Sequence, residues 1–187
     1  MDPAKILDGK ATSTKVLEAC ARRVTTLVER YQTPPCLATV LVGDDPASVT
    51  YTRMKRKRCE SVGMTSRKIE LPADTDTATL VNTITTLSED PQVHGILLQH
   101  PVPDQIDERA GFEAIAPEKD VDGVTFHSFA TTSFAHDGFV ACTPLGMIRL
   151  LKEYELPIRG LHAVVVGRSA ILGKPMTMLL LNENATV

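Results

Sequence analysis

The chain has 187 residues, 43% of them hydrophobic and 23% charged, with a formal net charge of −3. That length allows one sizeable core, or one domain and part of another, without disulfides to hold it together. The charge has the wrong sign for a protein whose main partner is a polyanion, and no apolar run reaches the roughly 20 residues of a membrane span.

The opening MDPAKILDGKATSTK has acids and lysines where a secretory signal needs a basic start and an apolar stretch, so a cytoplasmic location is expected. Ala11 to Tyr31 spaces Val16, Leu17, Cys20, Val24 and Leu27 at a helical period, and Pro34 and Pro35 follow as a stop. CLATVLVG, Cys36 to Gly43, is a short apolar run of the kind that forms a strand buried on both faces. After the DDPAS turn a second helix is predicted from Ser48 to about Val62, closed by Gly63. Thr65 to Leu71 reads as a strand, Thr75 to Ser88 as a helix, and Val93 to Gln99 as another buried strand. Helices alternating with strands imply a parallel α/β sheet.

From His100 to Cys142 the texture turns to loop, and Thr125 to Val140 carries little periodicity. Thr143-Pro144 is predicted to cap a helix from Leu145 to Tyr154. The remainder reads as a strand over Leu161 to Val166, a glycine-bounded loop from Gly167 to Gly173, a helix from Pro175 to about Asn182, and the start of a strand at Ala185. Cys20, Cys36, Cys59 and Cys142 contain no C-x-x-C pair, so no zinc site is expected and all four are read as reduced.

Two stretches carry chemical interest. YTRMKRKRCE packs Arg53, Lys55, Arg56, Lys57 and Arg58 into one helix, but Ser48, Tyr51 and Lys55 stand at i, i+3 and i+7 and share a face that Arg53, Arg56 and Lys57 avoid. GRSAILG, after an apolar run and before a helix, is the kind of loop that admits phosphates at a helix N-terminus, with Arg168 as a candidate cation. Its two glycines are six apart rather than in the usual G-x-G-x-x-G pattern, so spacing alone leaves a nucleotide site and an ordinary strand–turn–helix both open.

Taken in order, SVTYTRMKRKRCESVGM, VHGILLQHPVP, IAPEKDVDGVT, CTPLG and HAVVVGRSAILGKPMTMLLLNENATV resemble the bifunctional methylenetetrahydrofolate dehydrogenase / methenyltetrahydrofolate cyclohydrolase family. The resemblance implies a three-layer parallel-sheet catalytic domain over residues 1–142. The first strand–loop–helix of a truncated Rossmann-like domain would follow over 143–187. It implies NADP-dependent oxidation of methylenetetrahydrofolate and hydrolysis of the methenyl product to formyltetrahydrofolate.

By the same resemblance Tyr51 stacks on the aminobenzoate ring, Lys55 handles protons, Gln99 positions Lys55, and Asp122 grips the pterin; Ser48 joins the substrate site. The other four basic residues form a solvated rim that draws in the anionic glutamate tail, not a nucleic-acid site. An ordinary lysine is protonated at neutral pH, so this chemistry calls for a base whose charge is disfavoured by burial or by like charge, with Arg58 at i+3 as a contributor. Asp120 is expected to fix the loop. Gly167, Arg168, Ser169 and Gly173 would hold the cofactor, with Arg168 and Ser169 favouring the 2′-phosphate of NADP.

His100 stands where the family commonly has leucine, and is expected to be packed or solvated. The resemblance implies a homodimer and no membrane partner. Residues from about Thr143 onward are expected to be poorly ordered, borrowed by a partner chain or rearranged, and dehydrogenase activity is expected to be lost. Two alternatives are a shikimate-dehydrogenase-like enzyme and a non-catalytic assembly module.

Overall fold

The structure is a computed structural model that describes residues 6–187; the first five, which carry part of the N-terminal expectation, lie outside the described residues. Helix α1, Gly9–Tyr31, starts where the Asp8 carboxylate accepts from the Lys10 and Ala11 N–H groups, both at 2.9 Å, and ends at Gln32 in a left-handed conformation. Strand β1, Cys36–Val42, is followed by α2, Pro46–Ser61, β2, Thr65–Leu71, α3, Thr77–Glu89, and β3, Gly95–Leu98. The three strands form a parallel sheet in the order β2-β1-β3.

Alternation along β1 separates the two faces. Ala38, Val40 and Val42 pack with Leu80, Ile84 and Leu87 of α3 and with Ile96 and Leu98 of β3 in the main core. Thr39, one residue out of phase, faces α2 with Thr52 and Val49. Helices therefore cover both faces, which gives the expected three layers.

Helix α2 begins two residues before the predicted start because Pro46 occupies its first turn and Asp45 accepts from the Ser48 N–H at 2.8 Å. Gly63, at φ 85°, turns the chain out of it.

The stretch read as loop contains two short helices, α4 (Glu108–Glu113) and α5 (Phe126–Ser133), and a 3-10 turn at Pro117–Lys119. The sequence signal for α5 was its cap: Thr125 Oγ1 accepts from the Ser128 N–H at 3.1 Å. Helix α6, Cys142–Glu153, starts before the predicted Thr143 cap; Ala141 is the capping position and no side chain caps it.

From α6 onward the structure corrects the expectation of disorder or rearrangement. Ile148 of α6, Leu180 of α7 (Gly173–Asn182) and Ala185 form a second apolar cluster with Ile158, Ala163, Val165, Met176 and Leu179 around them. This unit is tied back by Asn182 Nδ2 donating to the Thr132 carbonyl at 2.7 Å and by the Lys15–Glu153 ion pair at 2.5 Å.

The predicted strand over 161–166 is absent, and in its place a single parallel bridge joins His162 to Thr186. A ladder needs a neighbour along its whole length, and among the described residues only Thr186 pairs with this segment, with Asn184 accepting from Gly160 beside it. Val164 and Val166 stand 90% and 98% exposed, as expected of an apolar run without sheet neighbours.

Candidate active site

Gln99 follows the last residue of β3, and its side chain is 7% exposed. From α2, on the other side of the strand end, Lys55 Nζ donates to Gln99 Oε1 at 3.1 Å, joining residues 44 apart in sequence. The other end of that amide, Nε2, donates to the His100 carbonyl at 2.7 Å. Lys55 is half-buried while Arg53, Arg56, Lys57 and Arg58 are all exposed, so the basic run divides as the helical spacing predicts. Tyr51, one turn before Lys55, is 58% exposed. Ser48 is 2% exposed, and its N–H is held by Asp45.

The KDVDG loop is placed by backbone contacts. Asp120 bridges to Ile96 of β3, so the segment that follows runs beside the end of the strand. Gly95 permits this approach: a Cβ there would lie 2.6 Å from a Val121 methyl. Gly123 has φ 67°, and a Cβ on it would meet the Val140–Ala141 peptide at 2.4 Å. The loop is therefore pressed against the start of α6, which brings Asp122 to Cys142.

Arg109 of α4 secures the same loop from the other side, donating to the Val124 carbonyl at 2.8 Å and pairing with Glu113 at 3.0 Å.

The two aspartates of the loop have different surroundings. Asp120 is fully buried, and its carboxylate accepts from Val124 N–H at 3.1 Å, Thr125 N–H at 2.9 Å and the Ser128 hydroxyl at 2.6 Å. Every one of those donors lies in the loop or in α5, which makes Asp120 the loop-fixing residue. Asp122 instead lines a cavity of about 90 Å³ with Leu98, His100, Cys142, Thr143 and Ile171.

Of the residues lining this cavity only Asp122 was among the sequence-derived site residues; Cys142 and His100 stand out among the rest. Cys142 is exposed as a residue, yet its thiol is enclosed and donates to the Val121 carbonyl at 3.3 Å. Burial first, then the charge of Asp122 and a hydrogen bond with it, push the thiol up to about 12, with Lys55 acting in the opposite sense. The only sequence signal was its place at the head of CTPLG. His100, expected to be packed or solvated, pairs through Nδ1 with Glu108 Oε1 at 2.5 Å.

At the second candidate site Gly167 has φ +148°, and Gly173 approaches it so closely that a Cβ on Gly173 would fall 2.4 Å from the Gly167 carbonyl oxygen. Ser169 Oγ accepts from the Leu172 and Gly173 N–H groups at 3.2 and 3.4 Å, at the start of α7. Arg168 is exposed and makes no ion pair among the described residues. The loop faces a hollow of about 370 Å³ lined by Val164, Val166, Arg168 and Met176. Ile171 of the same loop reaches the Asp122 cavity, so the two sites adjoin. Among the described residues no group of three or more His, Cys, Asp or Glu side chains gathers as a metal site.

A parallel α/β sheet with a lysine, an amide and a carboxylate at the end of one strand, beside a glycine-bounded loop opening a helix, has the layout of an enzyme that holds substrate and nucleotide in adjoining clefts. Residues 7–122 match the catalytic domain of tetrahydrofolate dehydrogenase/cyclohydrolase and residues 141–187 match the NAD(P)-binding domain of the same family. The chain belongs to the tetrahydrofolate dehydrogenase/cyclohydrolase family.

It is 60% identical over 98% of its length to "Bifunctional protein FolD 1" of Streptomyces avermitilis and 56% identical over 98% to "Bifunctional protein FolD" of Cellvibrio japonicus. It covers 64% and 66% of those two proteins, so it spans about two thirds of the length of the curated relatives it matches.

Among solved structures, the bifunctional FolD of Campylobacter jejuni superimposes with a TM-score of 0.92 at 40% identity, over 98% of this chain and 65% of that one. The Trypanosoma brucei methylenetetrahydrofolate dehydrogenase-cyclohydrolase, solved with NADP cofactor and inhibitor, gives 0.94 at 33% identity over 100% of this chain and 64% of that one. These matches set aside the shikimate-dehydrogenase-like alternative.

Proposed function

We propose that this chain carries the folate chemistry of its family: oxidation of 5,10-methylenetetrahydrofolate to the methenyl compound with NADP, and hydrolysis of that product to 10-formyltetrahydrofolate. The observation that carries the reading is the Lys55–Gln99 hydrogen bond at the end of β3, with Asp122 on the adjoining loop.

In the hydrolytic step water attacks the methenyl carbon, and Lys55 takes the proton released as the C–O bond forms. The carbon–N5 bond then breaks as the carbinol oxygen becomes the formyl carbonyl; Lys55 returns its proton to N5, the hydroxyl proton leaves to solvent, and the lysine ends as it began. Gln99 Oε1 fixes Nζ during both transfers. The Asp122 carboxylate accepts from the amino and ring N–H donors of the pterin. Tyr51, exposed on α2, offers its ring to the aminobenzoate group. Ser48, held at the start of α2 with Asp45, serves the site by fixing the helix that presents Tyr51 and Lys55.

Gly167, Arg168, Ser169 and Gly173 fit a dinucleotide phosphate by their chemistry: a close backbone approach, a helix N-terminus, a hydroxyl and an exposed guanidinium. NADP, when bound, accepts the hydride. In this reading residues 1–142 form the folate-binding domain and 143–187 open the NADP-binding one. The protein acts as a cytoplasmic homodimer on tetrahydrofolate derivatives. Of the two steps, the cyclohydrolase one needs no nucleotide.

The test is methenyltetrahydrofolate hydrolysis by the 187-residue chain without nucleotide, beside Lys55→Met. Turnover in the first and its loss in the second support the reading. Turnover equal in both, or absent from both, refutes it and leaves the assembly module as the alternative.

A further inference from the structure

Gln99 is an amide, and an amide can face a lysine with either end. Only its oxygen is a partner for Nζ; with the group turned over, the NH2 would set donor against donor. What selects the observed orientation is the second bond of the same amide, from Nε2 to the His100 carbonyl at 2.7 Å. The residue that supplies this carbonyl is also held through its side chain. Its Nδ1 meets Glu108 Oε1 at 2.5 Å.

Glu108 is itself placed, because it opens α4, whose cap Asp107 accepts from the Ala110 N–H at 3.1 Å. Helix α4 is wedged on the sheet by Gly111, where a Cβ would come within 2.9 Å of a Leu98 methyl, and by Phe112, which is 2% exposed. A continuous line of contacts thus runs from a helix packed on the sheet through Glu108 and His100 to Gln99 and Lys55. His100 also lines the Asp122 cavity, so the anchor sits in the wall of the substrate site and not behind it.

We propose that His100 is a positioning residue for Lys55: clamped by Glu108, its main-chain carbonyl holds the Gln99 amide in the orientation that presents Oε1 to the lysine. This rests on the folate reading only for its kinetic readout. Loosening the clamp lets the amide turn and Nζ wander, which slows proton transfer without removing any surface that touches folate. The effect therefore falls on kcat and spares KM. Misplacement of a catalytic group by about 1 Å is enough to cost up to a hundredfold, and a loosened clamp is a milder fault, so about a tenfold loss is expected.

The experiment measures methenyltetrahydrofolate hydrolysis by the unsubstituted chain, Glu108→Ala, Glu108→Gln and Gln99→Ala, and by Gln99→Ala combined with Glu108→Ala. It also records the Gln99 side-chain amide protons by NMR. Expected are a kcat about tenfold lower in Glu108→Ala with KM within about twofold, recovery in Glu108→Gln, which still accepts from Nδ1–H, and no further loss when Glu108→Ala is added to Gln99→Ala. The amide proton bonded to the His100 carbonyl should lose its distinct shift in Glu108→Ala.

A Glu108→Ala loss that persists undiminished in the Gln99→Ala background, or a Gln99 amide signal unmoved by Glu108→Ala, overturns the proposal. If the unsubstituted chain does not turn over at all, the folate reading fails, and the amide signal alone decides the clamp.

Discussion

Asp120→Asn separates loop-fixing from ligand-holding in a motif with two aspartates two residues apart. The substitution keeps the shape of the side chain and removes its charge and one acceptor. In the native protein one carboxylate oxygen takes the Val124 N–H at 3.1 Å and the other takes Thr125 N–H at 2.9 Å and the Ser128 hydroxyl at 2.6 Å. Asparagine can direct its carbonyl to the second pair, but its NH2 then faces the Val124 N–H.

One bond to an ionised acceptor is lost, worth about 1.5–3 kcal/mol, and a buried donor is left without a partner at about 1–3 kcal/mol more. Relief of the desolvation cost of a fully buried charge offsets part of this. The net destabilisation is about 2–4 kcal/mol, which for a chain of this size corresponds to a fall in Tm of roughly 5–15 °C.

Thermal unfolding followed by circular dichroism measures it. Asp122→Asn, at a side chain that lines a cavity, should move Tm by no more than about 2 °C while abolishing turnover of methenyltetrahydrofolate. If Asp120→Asn melts with the native chain, or Asp122→Asn proves the less stable of the two, the division of labour argued from burial is wrong.

Three further outcomes are expected. Gly111→Ala puts a methyl 2.9 Å from Leu98 and 3.0 Å from Leu80, and overpacking of this kind should cost about 1–3 kcal/mol in urea unfolding; a neutral result would show that α4 is not wedged on the sheet. The Cys142 thiol, raised to about 12, should carry roughly a thousandfold less thiolate near neutral pH than an ordinary cysteine, so alkylation at Cys142, followed by peptide mass spectrometry, should lag far behind that of a free thiol. Lys55→Met should slow it further, because Lys55 lowers that thiol.

Asp45, Asp76 and Asp90 are all held below the usual carboxylate range, the first by the Ser48 N–H, the second by bonds from Thr79 and the third by the Gln92 N–H. Depressed carboxylates contribute stability that is present above the unfolded value of about 3.9 and is lost as pH falls through the folded one. The urea midpoint should therefore drop below about pH 4, and less so in Asp45→Asn; a midpoint that rises on acidification would contradict this.

The sequence by itself determined the alternation of helix and strand, the parallel sheet, and the face of α2 that carries Tyr51 and Lys55. These rest on local facts: helix periodicity, caps and short apolar runs whose hydrogen bonds or side-chain directions repeat within a few residues. It also marked Gln99, Asp122 and the Gly167–Gly173 loop, through motifs that follow one another along the chain.

Tertiary structure decided what local pattern cannot hold. The apolar run Leu161 to Val166 became one bridge and not a strand, because a ladder is a relation between distant segments. Helix α5 formed from a stretch of weak periodicity once Thr125 capped it and Asp120 tied its first turn to the loop. Asp120 and Asp122 are the same residue type in one motif; the resemblance alone told them apart in the sequence, and burial supplies the physical ground, with one carboxylate enclosed by the loop and the other lining the cavity. The contacts of His100 and Cys142 were equally hidden, since a pocket wall is assembled from the end of β3, α4, α6 and three loops that meet only after the chain has folded.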